Sequence, residues 1–274
     1  MKCLLAIITV QFVTFTYENE IFPGRENFNY FPIVRIVGGE QASSKQFPYQ
    51  VALYNIFDDK ETFCGGSLIS SNYILTAAHC IVGVNSIDII LGALNVSDVS
   101  EPAQSRQTAK SFIIHPNWDE SSLSSDIALV ELSSPAKLND YVQTIPLATG
   151  SNSFAGLGGI TSGWGKVEDN QNGITDILRY VKSNILSNEQ CKSIDSDYDA
   201  IINSGHLCLS GDNTKGICTG DSGGPLVVES NGQLVQVGVT SFNYKSCVVG
   251  KPSVFARVTE YLQWIQQNSD VVLY

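Results

Sequence analysis

The sequence has little positive charge and few long apolar runs. Its 274 residues include 16 Lys and Arg against 27 Asp and Glu, a formal net charge of −11 at pH 7. This deficit argues against binding to nucleic acid or to anionic membrane surfaces. No run beyond the N-terminus approaches the ~18 apolar residues that span a membrane, and no repeat of roughly 20 to 50 residues is present. We therefore expect a globular protein with no membrane segment and no nucleic-acid partner.

The N-terminal residues have the composition expected of a leader that is removed from the mature protein. Residues 1–16 combine Lys2 with a short, mostly apolar stretch, which is typical of a secretory signal peptide. Residues 17–35 contain scattered Pro, Gly and charges without periodicity, which indicates a pro-segment. Loss of the signal removes Cys3 and leaves an even set of six cysteines, as expected for a disulfide-bonded secreted protein. Spacing alone leaves their pairing open.

After Ile36 the pattern is that of strands. Short apolar runs are separated by Gly, Asn, Ser and Pro, which predicts an all-β barrel or sandwich; the clearest runs are 50–54, 73–75, 87–91, 126–132 and 234–240. Residues 138–159 have few strand signals and are the expected boundary between two β-rich halves. Near the C-terminus the helical spacing of the apolar positions predicts a docked terminal helix; these positions are Val258, Tyr261, Leu262 and Ile265.

A glycine-rich loop carries the first candidate catalytic residue. Ser222 lies in Gly220-Asp-Ser-Gly-Gly-Pro225, and glycine permits backbone conformations that other residues resist. Such a loop can direct the N–H groups of Gly220 and Ser222 at one oxygen, as an oxyanion hole requires. A plain glycine-rich hairpin turn is the alternative, and the length of the match favours catalysis.

A serine nucleophile needs a base, and the chain has only three histidines. His115 precedes a proline and His206 follows Ser204-Gly205, so we interpret both as loop histidines. His79 ends a run of small residues and is the candidate base, although a buried structural histidine is the alternative. Asp126 opens an apolar run and is the candidate carboxylate that would orient the imidazole, with a turn-capping role as its alternative.

Six motifs in this order resemble the chymotrypsin family of serine peptidases; they are Ile36-Val-Gly-Gly39, Cys64-Gly-Gly-Ser67, Leu75-Thr-Ala-Ala-His-Cys80, Asp126-Ile-Ala-Leu129, Ser162-Gly-Trp-Gly165 and Gly220-Asp-Ser-Gly-Gly-Pro225. The resemblance runs from Ile36 to about residue 268. It implies two six-stranded antiparallel β-barrels within a peptidase domain at 36–274, with His79 as general base, Asp126 as its partner and Ser222 as nucleophile.

The resemblance also implies the covalent frame and the activation step. The implied disulfides are Cys64–Cys80, Cys191–Cys208 and Cys218–Cys247. The junction Arg35–Ile36 resembles the family's activation site, where cleavage frees an amine on Ile36 that pairs with Asp221. A trypsin-like protease is then the expected activator.

The resemblance places the substrate pocket at Gly216, Ser241, Phe242, Asn243 and Ser253. Gly216, at the expected base, carries no charge, so a preference for Lys or Arg is disfavoured and large apolar or aromatic side chains are expected. Asn243 stands where the family usually has glycine and Phe242 where it usually has tryptophan. An elastase-like preference for smaller residues therefore stays open. Loop similarity to arthropod digestive and collagenolytic peptidases makes collagenolysis a further alternative.

The remaining expectations concern modification, partners and role. Asn95 heads the only N-glycosylation sequon, and an unused tripeptide is the alternative. Ala93 stands where the family's calcium loop usually has a glutamate, so we expect no metal and no cofactor. Expected partners of a monomeric enzyme are protein or peptide substrates and protein inhibitors. Digestion is favoured over a regulatory cascade, and an active peptidase over a non-catalytic binding homologue.

Overall fold

The computed structural model describes residues 39–168, 170–212, 216–243, 247 and 250–273. The predicted signal peptide, the predicted pro-segment and the junction of Arg35 with Ile36 lie outside the described residues. Among the helices of the described ranges, none is long and apolar enough to cross a membrane.

Six strands of the first half close into an antiparallel barrel with the neighbour order β2-β3-β4-β7-β6-β5. Side chains such as Leu53, Ile74 and Ile87 are fully buried inside it, because successive residues of each strand alternate between its interior and its outer face. The strands are β2 (Gln50–Ile56), β3 (Glu61–Leu68), β4 (Tyr73–Thr76), β5 (Ser86–Leu91), β6 (Ser105–Ile114) and β7 (Ala128–Leu132).

The second half forms another antiparallel barrel, in the order β9-β10-β13-β12-β11-β8, which closes because β8 also pairs with β9. The short β1 (Glu40–Gln41) adds to the outer edge of β9. The other strands are β8 (Gly158–Gly163), β9 (Arg179–Leu186), β10 (His206–Leu209), β11 (Pro225–Ser230), β12 (Gln233–Asn243) and β13 (Ser253–Arg257). The predicted pair of six-stranded barrels is confirmed.

The connection between the barrels runs from residue 133 to residue 157, between β7 and β8, and the expected boundary at 138–159 overlaps it. It contacts both barrels. The Ile145 N–H donates to the Leu68 carbonyl at 2.9 Å in the first, and the Ala148 N–H donates to the Gln236 carbonyl at 2.9 Å in the second. The connection is therefore fastened to both halves along its length.

Four short α-helices occur in the described residues: α1 (Ala78–Ile81), α2 (Asn188–Lys192), α3 (Ser196–Ile201) and α4 (Leu262–Asn268). The terminal helix begins at Leu262, not at Val258, because Val258–Glu260 form a 3-10 turn and Tyr261 leaves helical dihedral angles. The predicted apolar face still docks, since Val258 and Ile265 are fully buried.

Three disulfides link the six cysteines of the described residues, and each closes within one half of the chain. Cys64–Cys80 joins β3 to α1 in the first half. The other two lie in the second half and are Cys191–Cys208 and Cys218–Cys247. These are the pairs that the family resemblance implies. No disulfide among the described residues crosses from one barrel to the other.

Candidate active site

His79 lies in α1, directly after β4. Its neighbour Cys80 is bonded to Cys64 of β3, so the disulfide anchors this short helix against the barrel. The His79 side chain keeps 30% of its surface exposed, whereas Ala78 and Ile81 of the same helix are fully buried. The local sequence therefore buries its small and apolar residues and leaves the imidazole facing solvent.

Asp126 precedes β7 and is 1% exposed. Its Oδ1 accepts the backbone N–H of His79 at 2.9 Å, and its Oδ2 lies 2.7 Å from His79 Nδ1. An ionised carboxylate can only accept hydrogen bonds, so Nδ1 carries the imidazole proton. The other ring nitrogen, Nε2, is then the basic one, and the pair has the arrangement that general-base catalysis needs.

Ser241 supplies a third donor to the same carboxylate. Its hydroxyl, in β12 of the second barrel, donates to Asp126 Oδ2 at 2.5 Å and is itself buried. The family resemblance placed Ser241 only in the substrate pocket, because no local sequence pattern indicates a contact between residues 115 positions apart. The bond joins the Asp126 side of the site to the second barrel.

Ser222 lies in the loop before β11, where Gly220 and Gly223 have φ angles of +100° and +78°. A Cβ on Gly223 would lie 2.2 Å from Thr76 Oγ1 in the first barrel, so glycine is needed there for close approach as well as for conformation. The Ser222 carbonyl accepts the Gly65 N–H at 2.7 Å. The loop is thus pressed against β3, and Ser222 and His79 line one cleft of about 340 Å³.

Asp221, next to Ser222, is 2% exposed. Its Oδ1 accepts the Gly165 N–H and its Oδ2 accepts the Cys218 N–H, each at 2.8 Å. Burial raises the pKa of Asp221 to about 6, despite these two hydrogen bonds. A Cβ on Gly163 would lie 2.2 Å from Oδ1, so only glycine fits beside the carboxylate. The predicted partner, the Ile36 amine, lies outside the described residues.

Two of the expected pocket residues, Ser253 and Asn243, contact the short segment formed by Gly216 and Ile217. Gly216 is buried, and a Cβ on it would lie 3.1 Å from the Ser253 hydroxyl. That hydroxyl accepts the Ile217 N–H at 3.2 Å. The Asn243 side-chain amide donates to the Ile217 carbonyl, so it reaches across from β12. Phe242 is half-buried and packs on the cluster around the Cys191–Cys208 disulfide.

Comparison with known proteins identifies the family. The family model described as Trypsin matches residues 36–265, more than four-fifths of the chain. The chain belongs to the trypsin family. The predicted resemblance to chymotrypsin-like serine peptidases is therefore confirmed, and the protein is a serine endopeptidase.

Individual relatives support this assignment. Brachyurin of Leptuca pugilator is 38% identical over 86% of this chain and 99% of its own length. Trypsin of Sus scrofa is 38% identical over 85% of this chain and 95% of its own. Chymotrypsin of Phaedon cochleariae is 35% identical over 87% and 84%. The solved structure of HL collagenase superposes with a TM-score of 0.78 at 32% identity, covering 87% of this chain and all of the collagenase chain.

Two other regions of this trypsin-family peptidase bear on metal binding. In the loop that resembles the family's calcium loop, the Glu101 carboxylate accepts the N–H groups of Leu94 and Asn95, both at 2.9 Å. Cys64, His79 and Cys80 lie close enough to share an ion, but both sulfurs are already in a disulfide and offer no thiolate. Use of the Asn95 sequon stays a prediction.

The structure corrects one sequence interpretation. His206 is not a loop histidine, since it begins β10 and is only 2% exposed. Leu207 and Leu209, the apolar residues that follow it, could have indicated the strand. Ser204 and Gly205, which precede it and are typical of turns, obscured that signal. His115 follows the end of β6 and is half-buried against Tyr261 and Trp264.

Proposed function

We propose that the protein hydrolyses peptide bonds through an acyl-enzyme intermediate, with Ser222 as nucleophile. His79 Nε2 takes the hydroxyl proton as Ser222 Oγ attacks the scissile carbonyl carbon, and then delivers that proton to the leaving amine. Asp126 holds the tautomer and stabilises the imidazolium. Water then attacks the ester by the same path in reverse, with His79 again as base.

The observation that carries this proposal is the 2.7 Å contact between Asp126 Oδ2 and His79 Nδ1, in a cleft that Ser222 also lines. The N–H groups of Gly220 and Ser222 are the proposed donors to the oxyanion. The positive φ angle of Gly220 supports this role, because a side chain there would be strained.

For substrate choice we propose an uncharged residue before the scissile bond, with large apolar or aromatic side chains preferred. Gly216 and Ser253 provide no charge at the proposed pocket base. Glu229, the acidic residue that follows Asp221 in the sequence, is exposed on β11. A buried Lys or Arg side chain would lack a counter-ion, which disfavours trypsin-like cleavage.

One observation favours a second candidate, a preference for small side chains. The bond from the Asn243 amide, which the family resemblance places at the pocket entrance, reaches the carbonyl of Ile217, the residue that follows Gly216 at the proposed pocket base. An amide held there would shorten the space open to the substrate. Collagenolysis is a related candidate, supported by similarity to HL collagenase.

We further propose that residues 1–16 are a signal peptide, that the chain is secreted, and that 17–35 are removed by a trypsin-like protease cutting after Arg35. The fully buried Asp221 supports this, because its described hydrogen-bond donors are backbone N–H groups and a cation would stabilise its ionised form. A digestive role is the proposed setting.

A peptide-library cleavage profile of the chain cut after Arg35 tests the substrate proposal. We expect cleavage after Phe, Tyr or Leu, and a profile dominated by Arg or Lys contradicts it.

Asn243→Gly separates the two size classes, since a shift from small toward large residues in this variant would identify Asn243 as the restriction. Ser222→Ala is the control for contaminating peptidases, and turnover that survives in it contradicts the nucleophile assignment. Fibrillar collagen, offered in parallel, tests the collagenolytic candidate.

A further inference from the structure

His206 is a buried histidine that the proposed chemistry does not use. It lies in the second barrel, at the start of β10, and its main chain is held from two sides. Its N–H donates to the Asn203 carbonyl at 3.1 Å, and the Arg257 guanidinium donates to its carbonyl at 2.9 Å. The imidazole therefore projects from a fixed piece of backbone.

The two ring nitrogens of His206 have different roles. Nδ1 accepts the backbone N–H of Asn203 at 3.3 Å. Nε2 lies 3.2 Å from the Leu123 carbonyl oxygen, which can only accept, so Nε2 carries the proton. Burial lowers the pKa of His206, which keeps the ring neutral and this tautomer in place.

Leu123 belongs to the turn that leads into Asp126. Leu123 and Ser125 have φ angles of +54° and +56°, in the left-handed region that non-glycine residues seldom occupy. Such conformations are strained and persist only where surrounding contacts hold them. The hydrogen bond from His206 is a contact of this kind, and it comes from the opposite barrel.

The His206 ring also packs edge-to-face on Phe242, with centroids 6.1 Å apart and an interplanar angle of 85°. Phe242 follows Ser241, whose hydroxyl donates to Asp126. One imidazole therefore touches both segments that converge on this carboxylate: the strained turn that carries it and the β12 strand that hydrogen-bonds it.

We propose that His206 is a positioning residue that sets the Asp126 turn and the Phe242 wall of the substrate groove relative to each other. The proposal rests on the proposed roles of Asp126 and Phe242. The Nε2–H donor acts on Asp126 through the Leu123 carbonyl and so governs kcat. The ring acts on Phe242 and so governs KM.

Three variants separate the two contacts in the full chain cut after Arg35. The His206→Gln amide reaches the Nε2 position and keeps the donor without the ring, so we expect kcat within about twofold of the parent and KM raised about fivefold to tenfold. His206→Phe keeps the ring without the donor and should lower kcat about tenfold with KM little changed. His206→Asn is too short to reach Leu123, and both parameters should change.

The control is His115→Gln, which alters a half-buried histidine that also has aromatic neighbours and should leave kcat and KM unchanged. Melting temperatures separate these effects from general loss of stability. Equal kcat values for His206→Gln and His206→Asn would overturn the proposal, whether or not His206→Phe folds. A parent enzyme whose turnover survives Asp126→Asn would instead overturn the proposed function on which the inference depends.

Discussion

The surroundings of Asp126 and of Asp221 differ, although the two carboxylates are buried to the same degree. Asp126 accepts hydrogen bonds from the His79 backbone, the His79 ring and the Ser241 hydroxyl. Asp221 accepts two backbone N–H groups in the described part of the chain, and burial raises its pKa to about 6. Asp126 therefore accepts hydrogen bonds from two side chains, those of His79 and Ser241. Asp221 instead lies in a space bounded by glycines.

The two carboxylates differ in whether a group that can carry positive charge lies within hydrogen-bonding distance among the described residues. Ionised Asp126 has a histidine to share its charge within hydrogen-bonding distance. Ionised Asp221 has only neutral donors among the described residues, which costs free energy that a cation would recover. Asp126 is thus paired with His79 in the described residues, whereas the proposed cation for Asp221, the Ile36 amine, lies outside them.

The largest effect should follow from Asp126→Asn. An amide accepts at only one of its two ends, so an Asn whose oxygen accepts the His79 backbone N–H turns its NH₂ group toward Nδ1. His79 would then adopt the wrong tautomer, and kcat should fall about 10⁴-fold while the fold is retained. Steady-state kinetics of the cleaved protein with circular dichroism would measure this. Asp176→Asn, at an exposed carboxylate that accepts a Ser97 hydroxyl, is the matched control. A loss of less than tenfold would mean that Asp126 does not orient the base.

Asp221→Asn should have the next largest effect, and only after cleavage. Removing one partner of a buried ion pair costs about 3 to 5 kcal/mol, so activity should fall about 10²- to 5 × 10³-fold. The uncleaved protein, which has no free Ile36 amine, should not lose stability at pH 7, because a neutral amide replaces a carboxylate whose ionisation is opposed by burial. Kinetics of the cleaved form and urea unfolding of the uncleaved form give the two readings. Full activity in the cleaved variant would rule out the proposed activation pair.

A pH titration of stability should distinguish the two forms of the chain. The pKa of Asp221 is raised from 3.8 to about 6, so its stabilising protonated state is fully present below about pH 4 and is lost as pH rises through 6. The uncleaved Ser222→Ala protein should lose up to about 3 kcal/mol across this window. A paired amine lowers this pKa, so the cleaved protein should not show the loss. Parallel urea-unfolding curves for both forms would contradict the comparison.

The same amine predicts an alkaline limit to activity. Pairing raises its pKa above the usual ~7.7 to 8.0, and the stabilisation present below that range is lost as pH climbs through the raised value. Activity of the cleaved enzyme should therefore fall at alkaline pH, when the amine loses its charge. The pH dependence of kcat/KM measures this limb, and an activity plateau extending above pH 10 would contradict the pairing.

The smallest effect should come from Ser241→Ala, which removes one of three donors to Asp126. A hydrogen bond to a charged group is worth about 1.5 to 3 kcal/mol, so kcat should fall roughly 10- to 100-fold. Ser67→Ala is the control, because that buried hydroxyl donates to Gln236 without touching the site. If both variants keep the parent kcat, the Ser241 bond is structural only.

Much of this molecule could be predicted from local patterns. Turn residues between short apolar runs predicted the strands, and the spacing around His79, Asp126 and Ser222 pointed to the family that the comparisons confirm. These features depend on neighbours in the sequence, where glycine, cysteine and apolar periodicity leave direct evidence.

The contacts that cross between barrels were beyond local reasoning. The Ser241 bond to Asp126 and the His206 bond to Leu123 each join the two barrels and positions far apart in the chain. The missed strand position of His206 has the same origin, because Ser204 and Gly205 suggested a loop while pairing with β13 imposed a strand. Tertiary pairing outweighed local preference at that position.

The placement of the disulfides has a consequence for the integrity of the enzyme. Because each bridge closes within one half, the connection at 133–157 is the covalent tie between the barrels in the described chain. A single nick there would turn one polypeptide into two fragments, one bearing His79 and Asp126 and the other bearing Ser222. Oxidation would not hold such fragments together, so their association would follow mass action. Activity after nicking would then depend on dilution, as in a heterodimer.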